Sequence, residues 1–149
     1  MNELGFLSYQ DSILYLSGED GDQVSVNELK YDKKLPAFKG NYTPLIFLNA
    51  CGTAQGQDFF PSGFVPYFIA DLRAASVLAT VAKIPALHAT SFAKEFLQSW
   101  LGSVPAARAL HDIRWRCLRD QINPFPMYYT LHGLGSLQLE RPLSCDTSS

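Results

Sequence analysis

The sequence predicts an α/β fold built on a mostly parallel sheet, and three observations carry that expectation. Residues 45–49, Leu-Ile-Phe-Leu-Asn after Pro44, form a short apolar run that reads as a strand buried on both faces. Residues 76–81, Ser-Val-Leu-Ala-Thr-Val, form a second such run. One helical stretch separates the two, as a right-handed parallel crossover requires. The first run then gives way to Ala50-Cys51-Gly52-Thr53. In an open α/β sheet, residues beyond the carboxyl ends of parallel strands form the crevice where chemistry is done. A thiol there, followed by a glycine that lets a substrate approach the backbone, fits a nucleophile. It fits a small buried cysteine at a strand end equally well.

Composition bounds the rest. The 149 residues suffice for one domain with a real core, and 47% hydrophobic against 17% charged residues is globular usage. No apolar run approaches membrane-spanning length, and the start, Met-Asn-Glu-Leu-Gly-Phe, lacks the basic and apolar regions of a signal peptide. Net charge is −2 and no Lys/Arg cluster stands clear of acidic partners, which argues against nucleic acid or an anionic membrane as the main partner. Three cysteines, Cys51, Cys117 and Cys145, are an odd number without metal-ligand spacing. They suit a reducing, cytoplasmic setting and point to no metal and no cofactor.

Along the chain, residues 12–16 are a strand candidate and Gly18-Glu-Asp-Gly-Asp22 a turn, with Asp20-Gly21 a hairpin signal. Those acids lack the spacing of a calcium loop. Ser25-Val-Asn-Glu28 has the form of a capping box and should open a short helix. Residues 32–43 read as a surface connection. Ser62 is placed to cap a helix over residues 64–74, with Pro66 in its first turn. Pro85 starts a helix to Leu101, stopped by Gly102, with Ala89, Phe92, Ala93, Phe96, Trp100 and Leu101 on its apolar face. Pro105 opens a helix over residues 106–121, burying Ala106, Leu110, Ile113 and Cys117. Arg108, Asp112, Arg116 and Asp120, four apart, should pair along its solvent side. Asn123-Pro-Phe-Pro126 breaks that helix, residues 127–131 and 136–139 read as strands, and residues 141–149 as a disordered tail.

Pro44-Leu-Ile-Phe-Leu-Asn-Ala-Cys-Gly-Thr-Ala54 resembles the nucleophile strand of the CHAT family, a branch of the caspase-like cysteine peptidases. Phe64-Val-Pro-Tyr-Phe-Ile, Ala75-Ser-Val-Leu-Ala-Thr80, residues 89–101, Ala109-Leu110, Asn123-Pro124 and Tyr129-Thr-Leu-His-Gly133 continue the resemblance in order, over residues 13–139. It implies a caspase-like layered sandwich with helices on both faces of the sheet. It also implies hydrolysis of a peptide or protein substrate by a Cys/His dyad. Cys51 matches the nucleophile, its own N–H donates to the oxyanion, and Gly52 and Asn49 belong to the oxyanion and substrate-binding region.

The family's histidine ends an earlier strand in a His-Gly motif. In caspase-like chains the histidine lies about 50 residues before the cysteine. Counting back from Cys51 reaches the start of the chain, where there is none. The resemblance thus implies an amino-terminally incomplete domain over residues 1–140, nearly inactive alone. An upstream segment or partner domain would complete its sheet. His88, His111 and His132 each read as packed or surface histidines. Family members that cleave after basic residues carry acids past the second strand. Here that place reads Ala82-Lys83-Ile84-Pro85, so such a preference is not implied. A non-catalytic CHAT-like interaction module, and an unrelated α/β protein with a structural Cys51, are the other readings.

Overall fold

The structure, a computed structural model, describes residues 13–15, 23–33, 35–38, 44–49 and 63–139. Strands β1 (Ile13–Tyr15) and β2 (Gln23–Ser25) pair antiparallel, with Leu14 opposite Val24; Asp20 and Gly21 lie outside the described residues. Ser25 then caps the next turn, its hydroxyl accepting from the Glu28 N–H at 3.0 Å. The turn that follows, Glu28–Lys33, is a wide π-helical one.

A second sheet has the order β3 (Leu45–Phe47), β4 (Ser76–Thr80), β5 (Tyr129–Gly133). β3 and β4 are parallel, with Ile46 opposite Val77 and Phe47 opposite Leu78. The ladder is extended by Ala75 N–H to Pro44 O at one end, 3.1 Å, and Leu48 N–H to Leu78 O at the other, 2.8 Å. The connection between them is the expected helix, in two parts: α1 (Phe64–Pro66) passes into a π-helical turn, Tyr67–Asp71. Gly63 rather than Ser62 occupies its N-cap.

Two expectations about the sheet change. β4, buried along its whole length, is the middle strand of those described, while β3 is half-buried. β5 runs antiparallel to β4. The reason is the path between them. α2 (Ala86–Leu101) carries the chain away and α3 (Ala106–Gln121) brings it back, so the next strand must enter in the opposite sense. The described sheet therefore holds one parallel and one antiparallel pairing.

β4 also divides the core. Leu78 packs with Phe92, Phe96, Leu110, Ile113 and Tyr129, whereas Val77 and Ala79 pack with Val65, Ala74 and Phe68. A period of two along the strand sends alternate side chains to different clusters. The inward face of α3 is as the spacing predicts, with Ala106, Leu110, Ile113 and Cys117 all buried. On α2, Phe92 and Phe96 are buried and Trp100 packs against them, but Leu101 is 63% exposed because the helix ends there.

Residues 136–139 form no strand. Instead, Leu137 O and Gly135 O accept the Ala106 and Ala107 N–H groups at 2.9 Å each. Pro105, the N-cap, makes no side-chain cap bond. The returning chain supplies the carbonyls that the first turn of a helix leaves its donors needing. Of the expected solvent-side pairs, Arg108 and Asp112 meet at 2.8 Å. Arg116 reaches across to Glu95 on α2, and Asp120 pairs with Arg119. No helix among the described residues is long and apolar enough to cross a membrane.

Ile122 closes α3 in the left-handed region, φ 50° and ψ 35°, and is 86% exposed. A β-branched residue is strained there and gains no packing in return. Replacing it by glycine is expected to raise stability by about 1 kcal/mol, read as a higher urea midpoint at unchanged slope. A lower midpoint would contradict this.

Candidate active site

The site begins at the carboxyl end of the parallel pair, where three elements converge. Asn49 follows the end of β3, Ala89 lies in the first turn of α2, and Tyr129 opens β5 opposite Thr80. Asn49 joins them. Its Oδ1 accepts from the Tyr129 hydroxyl at 2.7 Å and its Nδ2 donates to Ala89 O at 3.4 Å. Cys51 and Gly52 lie outside the described residues, as does the 141–149 tail.

Tyr129 and Arg114 are the residues that sequence reasoning missed here. Tyr129 is fully buried, its ring stacked on Phe92 at 3.6 Å and 10°. Arg114, on α3, turns inward. Its guanidinium donates to Pro126 O at 3.3 Å and to Tyr129 O, tying down the entry to β5. Partial burial lowers its pKa from the ordinary arginine value, since desolvation disfavours the charged form.

Each of the three histidines has a local partner among the described residues. Asn123 Oδ1 accepts from the Phe125 N–H at 3.1 Å, which turns its Nδ2 toward His88 Nδ1 at 3.4 Å. The face of the His88 ring lies against Phe125 at 4.4 Å. His111 is exposed on α3 beside Asp112, whose carboxyl it helps Arg108 hold below the ordinary pKa. His132 is in β5 opposite Val77, with Nε2 3.0 Å from Thr130 Oγ1. It is three residues along the strand from Tyr129, about 10 Å from the carboxyl end of the parallel pair.

Cys117 is buried on the inward face of α3. Its thiol pKa is raised, first by desolvation and then by Glu95. Among the described residues, no three His, Cys, Asp or Glu side chains gather as metal ligands would. An open groove of about 500 Å³ between the 35–38 segment and Phe68 and Leu72 offers only apolar side chains.

The CHAT domain family model matches residues 6–134, most of the chain and both sheets. No curated protein and no solved structure matches. The match takes in the strand leading to Cys51, the parallel crossover into β4, both long helices and β5, and the chain belongs to the CHAT domain family, which is related to the caspase-like cysteine peptidases.

Proposed function

We propose that this chain carries the thiol-bearing part of a caspase-like cysteine endopeptidase, with Cys51 as nucleophile and the imidazole supplied from outside residues 1–149. The family match over residues 6–134 is the observation that carries the reading, because it spans the strand and crossover that present the cysteine. The thiolate would attack the carbonyl of a peptide or protein substrate, and the Cys51 and Gly52 N–H groups would hold the oxyanion. The imidazole takes the thiol proton and returns it to the leaving amine.

The division of the core about β4 supports a layered sandwich with helices on both faces of a larger sheet. Such a sheet would be completed by the segment that brings the histidine, whether from upstream or from a partner domain. Three cysteines and a buried free thiol at Cys117 suit a cytoplasmic protein.

Competition between thiols tests the assignment. In the folded chain, iodoacetamide is expected to alkylate Cys51 about tenfold or more faster than Cys117, whose burial both blocks access and suppresses the thiolate. Unfolding in urea should equalise the two. Equal rates in the folded protein would favour a structural cysteine and sink the nucleophile assignment.

A further inference from the structure

We propose that Tyr129 is a positioning residue for the nucleophile, acting through Asn49. Its buried hydroxyl straps β5 to the end of β3 and so fixes the point from which the chain runs to Cys51. The inference rests on the reading of Cys51 as nucleophile.

Tyr129 is a rigid anchor. It is 0% exposed, its ring lies on Phe92 at 3.6 Å, and Phe47 stands at 6.1 Å. Its backbone is paired with Thr80 of β4, and its carbonyl accepts from Arg114. None of this packing needs the hydroxyl, since phenylalanine would fill the same space. The hydroxyl donates the 2.7 Å bond to Asn49 Oδ1.

β3 and β5 are not neighbours in the sheet, for β4 lies between them. The bond therefore joins, across the carboxyl end of β4, two strands that no ladder connects. The Asn49 Nδ2 bond to Ala89 O, at 3.4 Å, adds a second anchor from α2. Asn49 is thus held from two sides, two residues before Cys51. Attack on a carbonyl depends strongly on placement, so holding this residue matters to the rate.

The test uses two readouts. Amide exchange at Leu48, bonded to Leu78 O, reports the carboxyl end of the β3–β4 ladder, and exchange at Ala75, bonded to Pro44 O, reports the other end. In Tyr129→Phe, Leu48 exchange is expected to rise about tenfold while Ala75 is unchanged. In the chain supplied with the histidine-bearing strand, kcat is expected to fall about tenfold at unchanged KM. Asn49→Ala should act alike, and the double variant should be no worse than either single one, because both remove the same bond. Tyr128→Phe, exposed and next in sequence, should change nothing.

Wild-type exchange at Leu48 in Tyr129→Phe, equal acceleration at Leu48 and Ala75, or additive losses in the double variant would each overturn the inference. A completed wild-type chain that cleaves nothing, while Leu48 still responds selectively, would overturn the peptidase reading and leave the strap standing.

Discussion

Gly133→Ala is expected to cost about 3 kcal/mol or more of stability, a fall in melting temperature on the order of 10 °C for a chain of this size. Gly133 ends β5 with φ at +98°, a conformation L residues rarely adopt. A Cβ there would meet Ala75 O at 2.3 Å and Ser76 Cα at 3.0 Å. Both are backbone atoms, and both are held. Ala75 O accepts from the Leu134 N–H at 2.9 Å, Ala75 N–H donates to Pro44 O, and Ser76 Oγ donates to Leu134 O at 2.7 Å. The clash can be relieved only by parting β5 from β4 at the end where Ser76 faces Gly133. Thermal unfolding followed by circular dichroism measures it. A variant within about 1 kcal/mol of wild type would mean that this end of the sheet yields more readily than its bonding implies.

Cys51→Ala is expected to abolish peptide cleavage by the completed domain, by about a thousandfold or more, while leaving the fold intact. Removing a covalent nucleophile removes the route itself, so the loss is in kcat and no other thiol replaces it. Cys117→Ala is the comparison. That side chain lies in the core between α2 and α3, so its loss should appear as about 1 kcal/mol or more of stability rather than as lost turnover. Steady-state kinetics beside a urea titration separates the two. Turnover that survives in Cys51→Ala would remove the cysteine from the mechanism.

Much of the frame was legible in the residues. Pro85, Gly102 and Pro105 mark the ends of α2 and α3, and the buried face of α3 follows from period alone. The apolar run at 76–80 lies wholly inside, as its composition requires. The antiparallel entry of β5 was also available, since two successive helices must reverse the direction of the next strand. The expectation of a mostly parallel sheet passed over it.

Other features were out of reach for a physical reason. The bond between Asn49 and Tyr129 spans 80 positions, and nothing local to either residue announces the other. Arg114 lies at the margin of the apolar face of α3, where spacing cannot decide between solvent and an inward carbonyl. The two carbonyls that cap α3 come from residues 135 and 137, the second of them inside the 136–139 stretch that reads as a short strand.

The account turns on an imidazole from outside residues 1–149 activating Cys51, and peptide cleavage with and without that imidazole tests it most directly. The chain alone should cleave a peptide library at close to background, and adding the histidine-bearing strand should raise cleavage by about two orders of magnitude or more. The same strand with its histidine changed to alanine should restore the sheet but not the rate. Equal cleavage by the unaided chain, or by the chain with the alanine-bearing strand, would contradict the account.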